Sequence, residues 1–296
     1  MSIIKSNESF PERPIIITLY GTPGVGKTSL SCTAENPILI DCDRGADRAC
    51  TRVDTIMASK WTDVLAEEKE FQTYKTVIFD TAKAILDDYM MGYVVEKDYK
   101  LKTNKLKAYG AIGDEFKLFT NTRRSENLDL IILAHAKEDK KGDITTYSPD
   151  VTGQSKDLIL RISDQVGFVS MVNNKRTITF EPTDITIGKN VARIPTMEIP
   201  DESDLKYKTF MSEIIQNVKN AIRNQSEAQV DAQKAMDELR LMIEACLDNF
   251  SLMEVSSVCA SLPKHQQAAA RKLLSEKVEQ LGMKYDKVSN SFISKT

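Results

Sequence analysis

Residues 21–28 read Gly-Thr-Pro-Gly-Val-Gly-Lys-Thr, and together with the stretches on either side this octad is the strongest constraint on the fold. Before it, residues 14–20 (Pro-Ile-Ile-Ile-Thr-Leu-Tyr) form a β-branched run with the character of a buried strand. After it, residues 28–32 (Thr-Ser-Leu-Ser-Cys) can open a helix. Strand, glycine turn and helix therefore follow one another directly. In that arrangement the backbone N–H groups of Gly24, Val25, Gly26 and Lys27 converge at a helix N-terminus, where the peptide dipoles favour an anion. The octad fits G-x-x-x-x-G-K-[ST] without a mismatch, so the expected anion is a nucleotide polyphosphate. The expected ATP-binding set is Gly21, Thr22, Pro23, Gly24, Val25, Gly26, Lys27, Thr28 and Ser29. Lys27 would reach the β- and γ-phosphates, and Thr28 would offer its hydroxyl to Mg²⁺. The glycines supply positive φ angles and room for the triphosphate.

Further strand signals follow. Residues 37–41 (Pro-Ile-Leu-Ile-Asp) and 76–80 (Thr-Val-Ile-Phe-Asp) are apolar runs with acidic ends, and helical character around Trp61, Val64 and Leu65 lies between them. A helix over residues 108–122 precedes a strand over 128–134, which runs into His135 and a charged loop, 137–142. Alternating strands and helices predict an α/β fold with a mainly parallel sheet covered on both faces. Ligands of such sheets bind beyond the carboxyl ends of the strands, where the glycine turn, Asp43, Asp80 and His135 would meet. The β-rich runs 165–172 and 176–180, split by Asn173-Asn174, predict an antiparallel extension. Helical spacing continues over 204–223, residues 224–228 look like a linker, and residues 230–283 predict two or three packed helices with Pro263 between them. The expected organisation is an N-terminal extension (1–13), an ATPase domain (14–225) and a small C-terminal α-helical module (226–296).

Nucleotide hydrolysis needs a metal anchor, a group that orients water and a group that senses the γ-phosphate. Asp80 is the expected second anchor for the Mg²⁺ held by Thr28, its competing role being that of a helix N-cap. Asp43 or Asp41 would orient water, unless both only hold a turn ahead of Arg44-Gly45. His135, at a strand end, is the candidate sensor, and with Lys27, Asp43 and Asp80 it makes up the expected catalytic set. His265 lacks comparable context. Lys97, Lys100, Lys102, Lys105 and Lys107, interleaved with Tyr99 and followed by Tyr109, can neutralise phosphates and stack on unpaired bases, although a solvated face has the same composition.

An apolar fraction of 41% without a run of about 18 apolar residues predicts no membrane span, and the polar N-terminus lacks a secretory core, so a cytoplasmic protein is expected. Five cysteines with no C-x-x-C pair argue against disulfides and zinc. A net charge of −3 requires any nucleic-acid site to be local.

In this order, residues 21–29, 40–45 (Ile-Asp-Cys-Asp-Arg-Gly), 77–81, 134–137 (Ala-His-Ala-Lys), 151–154 and 164–167 resemble the RecA-like P-loop ATPase core. Within it they are similar to phage single-strand annealing recombinases of the Sak group and related phage nucleotide-binding proteins. The resemblance covers roughly residues 14–200. It implies a water-activating carboxylate at Asp43, a γ-phosphate sensor at His135 and mobile DNA-contacting loops. Those loops would carry Lys100, Lys102, Lys105 and Lys107, and Lys137, Lys140 and Lys141. It further implies ATP- and Mg²⁺-dependent binding, pairing or annealing of single-stranded DNA by a homo-oligomeric ring or filament, in the host cytoplasm if phage-encoded. A single-strand binding protein or other replication and recombination proteins would be partners, and Lys189 or Arg193 would reach a neighbouring copy's ATP. Asp43 stands where cellular recombinases carry glutamate, which predicts slow hydrolysis. Two other readings compete: an ATPase that loads or remodels a replication protein, and a nucleotide-gated regulatory protein with little hydrolysis.

Overall fold

The computed structural model describes residues 3–295, with only the backbone of Lys141. Contacts divide the chain into one unit, Glu12–Ile222, and another made of Met1–Pro11 with Arg223–Thr296.

In the first unit, β1 (Ile16–Gly21) is followed by α1 (Lys27–Ser31), β2 (Pro37–Asp41), β3 (Asp54–Met57), α2 (Trp61–Ala66) and β4 (Thr76–Asp80). A π-helical stretch, Ala84–Met90, leads into α3 (Met91–Lys97), and α4 (Lys105–Ser125) leads into β5 (Asp129–Lys141). The unit continues with β6 (Ile144–Pro149), α5 (Gly153–Ile162), β7 (Gln165–Val172), β8 (Lys175–Thr179), β9 (Lys189–Asn190) and β10 (Met197–Glu198). The main path through the sheet is β10-β8-β7-β1-β5-β4-β2-β3, with β6 on β5 and β9 on β7. Strands β7, β1, β5, β4, β2 and β3 are mutually parallel. The antiparallel extension begins at β8, where Asn173 and Asn174 turn the chain with φ of 50° and 60°.

Alternation along the central strands builds two cores. Ile16, Ile40, Phe79 and Ile132 face a cluster completed by Trp61, Met90, Phe116 and Ile159. Ile17, Leu39, Ile78 and Ile131 face the opposite cluster, completed by Leu30, Tyr207, Met211, Ile214 and Val218. A strand whose neighbours in sequence are apolar on both faces belongs inside a parallel sheet, covered by helices on each side.

Two expectations change, and one strand is additional. Residues 137–142 are not a free loop: β5 runs on to Lys141 and pairs with β6, because residues 136–141 and 144–149 have mutually matching strand register across Gly142 at φ 63°. β3 was not evident in the sequence. It is a short edge strand of four residues, two of them exposed. The stretch 224–228 is not a linker but the interior of α6 (Phe210–Ala245), which begins in one unit and ends in the other. It contains no glycine or proline to break the helix, and Ser226 is buried, accepting a hydrogen bond from the Phe10 N–H.

The second unit has its own core. The end of α6, α7 (Asn249–Ser261) and α8 (Lys264–Gln280) pack through Leu239, Leu252, Val255, Ala270 and Leu274. Asp248 caps α7 by accepting from Ser251 N–H at 2.8 Å. A hairpin, β11 (Met283–Asp286) with β12 (Ser291–Ser294), closes the unit and contributes Phe292 to the core.

Candidate nucleotide-binding site

Strand register brings the candidate residues together. Gly21 lies opposite His135 on β5 and Val169 on β7, and Asp41 lies opposite Asp80. The carboxyl ends of β1, β5, β4 and β2 are thus consecutive, and a cleft of about 550 Å³ opens beyond them. Pro23, Gly24, Gly26, Lys27, Thr28, Ser29, Asp43, Asp80 and His135 line it.

The glycines have separate reasons. A Cβ on Gly21 would run into the Val169 carbonyl, so β7 passes too close for any side chain. Gly24 and Gly26 adopt φ of 80° and 90°, the left-handed region that glycine reaches without steric cost. Gly26 is the N-cap of α1. This helix has only five residues, so its amides matter here more than an extended dipole.

Lys27 is buried, and its ammonium donates to the Gly21 and Thr22 carbonyls at 3.0 Å each, folding back across the loop. Burial lowers its pKa to about 8, opposed by the nearby Asp80 carboxylate. Thr28 Oγ1 donates to Asp80 Oδ2 at 2.6 Å. The Asp80 pKa is raised, first by burial and then by Asp43 and Asp41, while the Thr28 hydroxyl lowers it. A buried carboxylate facing other carboxylates and touching a hydroxyl fits a divalent cation. No cluster of three or more metal-ligating His, Cys, Asp or Glu side chains occurs among the described residues. Mg²⁺ would therefore be held by Thr28 and Asp80 with phosphate oxygens and water, its usual mode beside nucleotides.

Asp41 and Asp43 separate clearly. Asp41 is fully buried, and its two carboxylate oxygens accept from the Gly45 and Ala46 N–H groups at 3.1 and 2.9 Å, holding the turn. Asp43 borders the cleft, with Oδ2 3.7 Å from His135 Nε2. That is ion-pair range, longer than a good hydrogen bond. Interaction with His135, and then with the Thr81 hydroxyl, holds the Asp43 carboxyl below the usual range. His135 Nδ1 is buried and finds no hydrogen-bond partner among the described residues.

The lysine-bearing segments lie elsewhere on the same unit. Lys97, Lys100, Lys102, Lys105 and Lys107 are all exposed, as is Tyr99, whose ring lies 5.1 Å from the Lys102 ammonium. Tyr109 instead is half-buried and packs against the core. Lys137 and Lys140 are exposed on the β5–β6 hairpin, and Lys137 sits 3.6 Å from Asp139. The Lys141 side chain lies outside the described residues. Lys189 donates to the Ser163 carbonyl of its own unit, whereas Arg193 is exposed. His265 is exposed on α8.

Sequence reasoning missed Arg48, Cys50, Arg176 and Glu202, which also line the cleft. Arg176 and Glu202 are some 150 residues or more from the glycine turn, and only the β1-β7-β8 order brings Arg176 there.

A parallel sheet with a phosphate-type loop after its central strand and an acidic residue ending the next strand but one defines a P-loop NTPase domain of RecA-like architecture. The AAA domain family matches residues 13–192, and the chain belongs to that family of nucleotide-binding ATPase domains. No curated protein matches the chain. No helix among the described residues is long and apolar enough to cross a membrane.

Proposed function

We propose that the chain is a Mg²⁺-dependent ATPase whose nucleotide state controls binding of single-stranded DNA, acting in recombination by pairing or annealing strands as a homo-oligomer. The observation that carries this reading is the continuity of β5. It passes from His135, in the cleft, straight into the hairpin that bears Lys137 and Lys140.

In the proposed reaction a water attacks the γ-phosphorus of ATP, the bond to the β–γ bridging oxygen breaks, and ADP and phosphate leave. Asp43 orients the water and accepts its proton. Its lowered pKa keeps it ionised at neutral pH but makes it a weak base, in keeping with slow turnover. Lys27 and the loop amides hold the phosphates. Mg²⁺ at Thr28 and Asp80 would neutralise charge on the β- and γ-oxygens. His135 Nδ1 or Nε2 donates to the γ-phosphate and passes its presence along β5.

DNA affinity rests on residues 97–107, where five lysines stand against the single carboxylate Asp98. α4 ends beside the start of β5, where Leu128 N–H donates to the Arg123 carbonyl. Its N-terminus, about 30 Å away at 1.5 Å per residue, therefore points toward the nucleotide edge of the sheet, and Lys105 and Lys107 with it. Arg193 is the group proposed to reach a neighbouring copy. Single-strand binding protein is a proposed partner.

The test is single-stranded DNA binding across a salt series, with and without ATP. Binding should strengthen with ATP, and each of Lys100→Ala and Lys102→Ala should flatten the slope of log K against log salt by about 0.7. Binding that ignores nucleotide and both substitutions would contradict the proposal and favour a protein partner for these segments.

A further inference from the structure

Arg176 is far from the glycine turn in sequence, yet its Nη1 comes within 2.8 Å of where a Cβ on Gly26 would stand. The guanidinium therefore lies against the turn that receives phosphate. Its position is built. Arg176 sits opposite Met171 in the β7–β8 pair, and its side chain is only 20% exposed. The guanidinium lies 5.6 Å from the centre of the ring of Tyr207, a buried residue of the second core cluster. Nη1 donates to Glu202 Oε1 at 2.8 Å. Both residues line the same cleft as Lys27, Thr28 and Asp80.

A guanidinium offers five donors in a fork matched to phosphate oxygens, and a carboxylate is the nearest protein analogue of such an anion. Glu202 is 42% exposed, so releasing it into water carries little desolvation cost. We propose that Arg176 is a phosphate ligand supplied by the same chain, which exchanges Glu202 for the terminal phosphate of a bound nucleoside triphosphate. This deepens the nucleotide reading of the loop and rests on it. It also gives the site a means to distinguish tri- from diphosphate: with a triphosphate Arg176 leaves Glu202, and with a diphosphate it stays. No catalytic proton transfer is asked of Arg176, which remains charged throughout.

The test is equilibrium binding of fluorescent ATP and ADP analogues to the full chain and to Arg176→Ala, Arg176→Lys, Glu202→Gln and Lys27→Ala. Loss of a charge-assisted phosphate contact should weaken ATP about 10–100-fold in Arg176→Ala and ADP by less than about threefold, with Arg176→Lys between the two. Glu202→Gln removes the competing anion and should tighten ATP alone; it carries the test by itself if Arg176→Ala does not fold. Unchanged ATP affinity in both Arg176→Ala and Glu202→Gln overturns the proposal, as does an equal loss for ATP and ADP in Arg176→Ala. Binding that survives Lys27→Ala instead overturns the nucleotide reading beneath it.

Discussion

Burial sets Lys27 against its own charge, and this has a measurable consequence. With its pKa lowered to about 8, the ammonium is charged below that pH and progressively neutral above it. A bound polyphosphate favours the charged form, so binding above pH 8 must first restore the proton. Nucleotide affinity should be flat below pH 8 and then fall by up to about tenfold per pH unit, with proton uptake measurable by calorimetry in buffers of different ionisation enthalpy. Affinity independent of pH between 7 and 9.5 would contradict this. Asp80 gives the complementary case. Its raised pKa, caused first by burial, means that ionising it costs the folded state stability as the pH rises past the ordinary carboxylate range. Asp80→Asn keeps an acceptor for the Thr28 hydroxyl while removing one carboxylate from a crowded group. It should raise stability in the absence of nucleotide by about 1 kcal/mol, or about 2–4 °C in melting midpoint, and abolish the Mg²⁺ dependence of nucleotide binding. A lower midpoint would contradict this reading of the buried carboxylate.

Elements differ in how openly the sequence declares them. β2 and β4 are legible to the residue, because each is a compact apolar run ending in an aspartate. β3 is hidden because an edge strand with two exposed positions has no apolar run to announce it. The β5–β6 hairpin reads as a charged loop because residues 137–140 of β5 are all exposed and polar, so that strand's alternation carries no apolar signal. α6 hides its middle for a similar reason: Asn224, Gln225 and Glu227 are exposed polar side chains on a helix that nothing interrupts. Of the site, the loop and both strand-end aspartates are visible in one dimension. The meeting of Asp43 with His135 at the strand ends is expected as well, whereas the Gly26–Arg176 proximity is not, since it depends on the order β1-β7-β8. Gly21→Ala, which forces a Cβ against the Val169 carbonyl, should cost about 1–3 kcal/mol in denaturant titration by prising β7 from β1. Replacing residues 139–146 with a two-residue Asn-Gly turn between the paired Glu138 and Tyr147 should leave ATP affinity unchanged and reduce any DNA-dependent response; an unchanged response would remove the hairpin from the account.

The whole molecule has separate cores for its two units, which allows function and stability to be separated. Leu252→Ala removes a fully buried side chain from the C-terminal core and should cost about 2–5 kcal/mol there. Hydrogen exchange should rise in α7 and α8 while ATP affinity holds, and a loss of ATP affinity would mean that the units are energetically coupled through α6. The proposed coupling joins a nucleotide-binding cleft to the hairpin bearing Lys137 and Lys140 on one sheet of the first unit, and to residues 97–107 on its helical segments. Its most direct test is ATP turnover by the full chain with and without single-stranded DNA, beside Lys27→Ala. The account predicts slow turnover that single-stranded DNA accelerates and Lys27→Ala eliminates. Turnover indifferent to DNA at low salt, under conditions where ATP is bound, would contradict it.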